Sequence, residues 1–213
     1  MKLLRETIRN LILESQKACN NLNAVLRGAI NRMVEHDLEI MYYMYQDKFR
    51  ILIKDKASGK EVGILKVDKA DRDWDGPCLG GYIVQGAKVE PLHRGTGLGA
   101  LMYDIAIELV GDFGLMADRQ SVSEDAIRNW DYFYNSPDYE KRPLDNSSGE
   151  YTPDNPIDDC SARAYQEHEV EFLHRKPSKE EFQSMSLNNV IVKQDKSQPS
   201  YTCLHNLGRI RKK

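Results

Sequence analysis

No stretch of this chain approaches the ~18 to 20 consecutive apolar residues that a membrane-crossing helix requires. Charges at Lys2, Arg5 and Glu6 stand where a secretory signal would carry its apolar core. The expectation is a cytoplasmic protein with no membrane partner. An excess of one charge is lacking as well: 30 Lys and Arg against 33 Asp and Glu leave a net charge of −3 over 213 residues. No global field therefore draws the chain to nucleic acid or acidic lipid. The concentrated basic run, Arg209-Ile210-Arg211-Lys212-Lys213, is expected to be a solvated tail. Cysteine is sparse, and Cys19, Cys78, Cys160 and Cys203 show neither a C-x-x-C pair nor Cys/His zinc spacing. That argues against a disulfide framework and a structural metal, and for reduced thiols. No internal repeat is visible.

What the chain does have is concentrated in Val89-Glu90-Pro91-Leu92-His93-Arg94-Gly95-Thr96-Gly97-Leu98-Gly99-Ala100. Three glycines in five residues let backbone approach a ligand with no Cβ between, and Arg94 adds a fixed positive charge. Leu98, Leu101, Met102, Ile105, Ala106 and Leu109 then follow the spacing of one helical face. A strand end, a glycine turn and a helix N-terminus result. Free amides there, beside Arg94, make an anion site suited to a phosphate or pyrophosphate.

Arg94-x-x-Gly97-x-Gly99, preceded by Val89-x-Pro91 and followed by an amphipathic helix, resembles the acyl-CoA signature of the GNAT N-acetyltransferase superfamily. The match covers about a dozen residues directly. It implies an α+β fold with a central mixed, mostly antiparallel sheet flanked by helices, and acetyl-CoA as cosubstrate. It also implies that Val89, Arg94, Gly95, Thr96, Gly97, Leu98 and Gly99 bind the cofactor, the amides from Arg94 to Gly99 holding its pyrophosphate and a backbone N–H near Val89 polarising its thioester. The activity implied is transfer of an acetyl group to a primary amine, on a small molecule or a protein.

The rest of the chain supplies elements in that order. Residues 2 to 18 are amphipathic, and Leu22, Val25, Leu26, Ala29, Ile30 and Met33 begin a second helical stripe. The N-terminal helical segment is thus taken as 1–37. Its basic amphipathic opening also resembles the N-termini of many phage-encoded proteins. A GNAT-like domain is expected over 38–195 and a basic tail over 196–213. Within the domain, Ile40 to Tyr45, Phe49 to Ile53 and Val62 to Val67 form a meander, with a turn at Ala57 to Lys60. Tyr82 to Val89 is the strand before the glycine turn, and Gly86 marks a bulge in it. In the family this strand is bulged and splays from its neighbour to admit the pantetheine arm. Phe113 to Ala117 is a short strand, and Ser123 caps a helix from Asp125 to Tyr134. Residues 135–156 are expected to be a long loop. Glu167 to His174 and Asn189 to Val192 close the sheet.

Catalysis demands an oriented donor, a polarised carbonyl and proton traffic. In the family a tyrosine in Asn-x-x-Ala-x-x-x-Tyr often protonates the thiolate. Here the run is Ser123-x-x-Ala126-x-x-x-Trp130, and Trp has no acidic proton to give. Tyr134, one turn on, is the substitute acid, although Trp130, Phe133 and Tyr134 also read as an aromatic stripe packing the helix onto the sheet. Asp118 and Glu90 are candidate bases, each also readable as an ion-paired carboxylate. His93, next to Arg94, reads either as an aid to phosphate binding or as a simply exposed loop histidine. The acidic residues from Asp138 to Asp159 read first as a solvated acidic loop and second as a surface suited to a cationic, amine-bearing acceptor.

The glycines also spell Gly95-x-Gly97-x-x-Ala100, a loose dinucleotide fingerprint, but polar residues separate it from its strand. No Gly-Lys-Ser/Thr follows, which excludes a P-loop. The alternative from a different class is a GNAT-like protein without catalysis, acting as a structural or interaction component of a larger assembly such as a phage particle.

Overall fold

The computed structural model describes Cys19, residues 22–69, 81–117, 122–143, 189–194 and 199–213. Among these, eight strands form one sheet in the order β6-β7-β5-β4-β3-β2-β1-β8. The strands are β1 (Leu38–Tyr45), β2 (Lys48–Asp55), β3 (Glu61–Lys69), β4 (Tyr82–Val89), β5 (Leu115–Ala117), β6 (Tyr139–Pro143), β7 (Asn189–Lys193) and β8 (Ile210–Lys212). All neighbours are antiparallel except β4 with β5 and β1 with β8. The helices are α1 (Ala24–Glu35), α2 (Leu98–Val110), α3 (Glu124–Asn135) and α4 (Ser200–Asn206). This is the mostly antiparallel, helix-flanked α+β sheet expected.

Alternation places Ile40, Tyr42, Phe49, Ile51, Ile53, Leu65 and Val67 in the core. Helix α2 covers them and is buried nearly all round, with Leu98, Leu101, Met102, Ile105 and Ala106 all inaccessible to solvent. Its one-sided stripe was therefore an underestimate of how much of it is enclosed. α1 begins at Asn23, whose side chain accepts from the Leu26 amide, and buries Leu26, Ala29, Ile30 and Met33. α3 begins at Ser123, which caps the Ala126 amide, and buries Trp130 and Phe133. Both rings pack on Tyr103 of α2, Trp130 edge to face and Phe133 stacked, with centroids 5.2 and 6.2 Å away.

Three expectations are corrected. Cys19 and Cys203 form a disulfide, with Cα atoms 5.3 Å apart across 184 residues of sequence. Both are buried in the main core, so a pairing that wide is made by the fold and leaves no local spacing in the sequence. The basic end is built in as well: α4 packs on α2, and β8 adds to β1 as an edge strand. Arg209 pairs with Asp37, and Arg211 lies 2.7 Å from Glu39, so cations expected to face water hold the edge. Within 135–156, Tyr139–Pro143 is a strand rather than loop, because Tyr139 is buried and β7 supplies its ladder. Residues 1–18 and the strand expected over Glu167 to His174 lie outside the described residues.

Candidate functional site

The bulge expected at Gly86 is present. Lys66 pairs with Gly86 and Val67 with Val84, which leaves Gln85 as the extra residue. β4 also parts from β5: pairing covers Tyr82, Ile83 and Val84, and Gln85 to Val89 have no β5 partner among the described residues. Among the described residues, the edge of β4 from Gln85 to Val89 thus has no strand partner on the β5 side, just before the glycine turn. Polar backbone on such an edge is available to an extended ligand.

After β4 the chain makes one 3-10 turn, Pro91–His93, in which Pro91 fits because the first helical position has no amide to satisfy. The Thr96 hydroxyl donates to the His93 carbonyl at 2.6 Å and closes the turn. Gly95 and Gly97 have φ of +72° and +82°, conformations that side chains adopt only with strain. α2 begins immediately afterwards, the Leu101 amide donating to the Gly97 carbonyl. From Gly95 to Ala100, no carbonyl or side chain among the described residues accepts from these successive amides. Such a row beside the positive end of the 13-residue α2 is an anion cradle.

Arg94 folds back so that Nε donates to the Val89 carbonyl at 3.1 Å. This bond ties the guanidinium back to the end of β4. Val89 therefore anchors Arg94, Thr96 shapes the turn and Leu98 is inaccessible to solvent.

Neighbouring helices fit the turn closely. An added Cβ on Gly97 would meet the Val25 carbonyl of α1 at 3.1 Å, and one on Gly99 would meet Asn129 Nδ2 of α3 at 3.3 Å. Arg94 also helps Asp125 stay ionised, after the larger effect of Arg128, whose guanidinium hydrogen-bonds Asp125. α3 thus meets the turn through Asn129, with Asp125 near enough to feel the Arg94 charge. Their helical spacing was visible, but nothing in the sequence marks Asn129 as a neighbour of Gly99.

The remaining candidates disperse. Tyr134 is half-buried near the end of α3, a turn beyond the residues that meet the glycines. Trp130 is 1% exposed, which makes it core. Glu90 is ion-paired, its Oε2 3.7 Å from Lys60 Nζ. His93 turns away from the amides and meets His36 edge to face, the centroids 5.7 Å apart. Burial, then the charges of His36 and Arg32, hold the His93 ring below its ordinary pKa. Asp118 lies outside the described residues. Among the described residues no group of three His, Cys, Asp or Glu is placed to hold a metal ion.

A second cluster went unnoticed in the sequence. Asp104 and Glu108, one turn apart on α2, both face Lys193 of β7, whose Nζ is 2.9 Å from Asp104 and 2.5 Å from Glu108. Tyr139 donates to Asp104 at 2.6 Å, and Glu108 accepts from the Ser200 and Tyr201 amides that open α4. Burial and then Asp104 push the Glu108 carboxyl up to about 7, against the opposing pull of Lys193. Burial opposes the Lys193 charge, but the two carboxylates outweigh it and raise its pKa. The cluster locks β7 and α4 to α2, below the turn.

No helix among the described residues is long and apolar enough to cross a membrane. No family model matches the chain, and no curated protein matches. Two solved structures are similar. Nourseothricin acetyltransferase is 20% identical with a TM-score of 0.34, over 51% of this chain and 59% of that one. A Corynebacterium glutamicum protein described as "histone acetyltransferase HPA2 and related acetyltransferase" is 18% identical with a TM-score of 0.33, over 61% and 70%. The chain thus spans about three fifths of the first of these. At such scores the likeness carries no argument about the site, which stands on its own geometry.

Proposed function

We propose that this chain binds acetyl-CoA through the turn from Arg94 to Gly99 and transfers the acetyl group to a primary amine. The observation that supports this is the row of amides from Gly95 to Ala100 at the head of α2, which have no partner among the described residues, beside Arg94 and the stretch of β4 that none of those residues pairs on the β5 side. A diphosphate is the ligand such a row suits: it offers several acceptor oxygens and a charge that the helix end and Arg94 both favour. The open edge beyond Val84 supports an extended amide-bearing arm reaching back from that diphosphate.

In the transfer, the amine nitrogen attacks the thioester carbonyl carbon and the carbon–sulfur bond breaks. The amine's proton leaves to a base, and the departing thiolate takes a proton from an acid. An amide on the β4 edge would stabilise the oxyanion that develops between these steps. Tyr134 is the candidate acid, because Trp130 is sealed in the core and the Tyr132 hydroxyl is buried. Asp118 and Glu90 remain the candidate bases, Glu90 with its Lys60 pairing to break first.

The direct test is calorimetric binding of acetyl-CoA followed by detection of free thiol with an amine present. Absence of both binding heat and thermal protection would end the proposal. The burial of Trp130 favours a second reading, a protein that binds acetyl-CoA without turning it over. Binding without thiol release across a broad amine panel would select it.

A further inference from the structure

The sheet has a second face. Strand alternation turns Ile40, Ile51 and Leu65 into the main core, and turns their neighbours Met41, Leu52 and Ile64 the other way, outside that cluster. Register sets these three side by side: Met41 opposite Leu52, Leu52 opposite Ile64, and Ile64 opposite Lys88 of β4. Leu52 and Ile64 are half-buried, so an aliphatic strip across three strands stays partly open to solvent. Two residues along the same strands runs a second row, with Tyr43 opposite Arg50 and Arg50 opposite Lys66. Lys213, just past β8, holds its Nζ 5.4 Å from the centroid of the Tyr43 ring. Arg50, Lys66 and Lys88 are exposed and make no ion pair among the described residues. Carboxylates at the border are already engaged: Asp68 lies 2.9 Å from Lys48, and Glu39 2.7 Å from Arg211. A chain whose net charge is −3 thus carries uncompensated positive charge on this face, beside an aliphatic strip.

We propose that this face docks an acidic, amphipathic segment of a partner protein, its aliphatic side chains on Leu52 and Ile64 and its carboxylates against Arg50, Lys66 and Lys88. The charge selects an anionic partner, and the strip selects among anions. A nucleic acid strand on a sheet needs open aromatic rings for its bases to stack on. Tyr43, the aromatic residue in the cationic row, is half-buried with Lys213 over its ring. An anionic membrane needs apolar side chains that project into the acyl region, and Leu52 and Ile64 stand half-buried among charged neighbours. The two rows are about 7 Å apart along the strands. That is near the rise of one helical turn, so a helix with carboxylates one turn from its aliphatic residues matches both rows at once. The face does not depend on the reading of the glycine turn.

The probes are two labelled short peptides of equal Glu and Leu content, one ordered as an amphipathic helix and one scrambled, with an oligothymidylate of matching charge. Fluorescence anisotropy with the full chain should show saturable binding of the ordered peptide that weakens as salt is raised. Methyl NMR of the unaltered chain should show shifts at Leu52 and Ile64 that saturate with it. Arg50→Glu combined with Lys66→Glu should weaken the peptide at least about tenfold and leave circular dichroism unchanged, since neither side chain gives up an ion pair. Ile64→Thr should weaken it severalfold while leaving the salt dependence as it was. Equal binding of the scrambled peptide, or tighter binding of the oligothymidylate, overturns the choice of an amphipathic protein segment. No binding at low salt, no methyl shifts at Leu52 and Ile64, or binding that survives both variants overturns the face as a docking site.

Discussion

Gly97, at φ +82°, lies so close beneath α1 that a Cβ there would sit 3.1 Å from the carbonyl oxygen of Val25. The glycine turn is therefore shaped from outside as well as by its own sequence. Gly97→Ala meets both a strained φ and a backbone atom that cannot rotate away. It should cost about 1 to 3 kcal/mol of stability and weaken acetyl-CoA at least about tenfold. Gly95→Ala, at φ +72° in open space, should cost only about 1 kcal/mol. Paired thermal melts and calorimetric titrations check the contrast; equal effects would mean the α1 contact is unimportant.

Arg94 is exposed and, among the described residues, its hydrogen bond is to the Val89 carbonyl alone, so its removal separates binding from folding. Arg94→Gln should weaken acetyl-CoA about tenfold, reduce the salt dependence of binding and shift the melting temperature little. Titrations at two ionic strengths are the measurement.

Glu108 carries a pH dependence whose sign is fixed. Its folded pKa of about 7 lies above the ordinary value of 4.5, so between those limits the folded chain holds a proton that the unfolded chain has released. Its contribution is most favourable below pH 4.5 and is lost as pH rises to 7. Glu108→Gln should therefore remove one component of the fall in stability between pH 4.5 and 7. Denaturant midpoints of both proteins across that range test this, and parallel profiles would contradict it.

The Cys19–Cys203 bridge closes a loop of 184 residues and fastens the segment before α1 to α4. Loop-closure arithmetic puts its contribution at about 5 kcal/mol. Reduction, or Cys203→Ser, should lower the melting temperature markedly. Because α1 supports Gly97, it should also weaken acetyl-CoA. Melting with and without a dithiol reductant decides; an unchanged midpoint with the bridge shown broken would refute the stabilisation.

Tyr134→Phe separates the two roles open to Tyr134, acid and packing residue. Loss of about tenfold or more in kcat with KM unchanged is expected if its phenol protonates the thiolate. Unchanged kcat would return Tyr134 to the role of a packing residue.

Periodicity made the meander, the strand before the turn and the helices beginning at Asn23 and Ser123 legible, because each buries one face; the helix after Gly97 showed its stripe although it is enclosed on nearly every side. Gly95 and Gly97 were legible because only glycine tolerates their backbone angles cheaply. The disulfide, the built-in C-terminus and the Asp104–Glu108–Lys193 cluster were not, since each joins residues more than eighty positions apart and no local pattern encodes such pairs. Tyr139 shows the same limit: a tyrosine among charges and prolines looks like loop until Asp104 and β7 are brought beside it. Asn129 was hidden for the opposite reason, being an ordinary helical residue that matters only because Gly99 leaves it room.

The most direct measurement is calorimetric titration of acetyl-CoA into the wild-type chain, with a thermal melt at saturating ligand. Stoichiometric heat should appear, competed by free CoA, with stabilisation of about 3 kcal/mol at a hundredfold excess over the dissociation constant. Absence of heat and of any rise in melting temperature at millimolar acetyl-CoA would contradict the assignment of the Gly95 to Ala100 amides as its cradle.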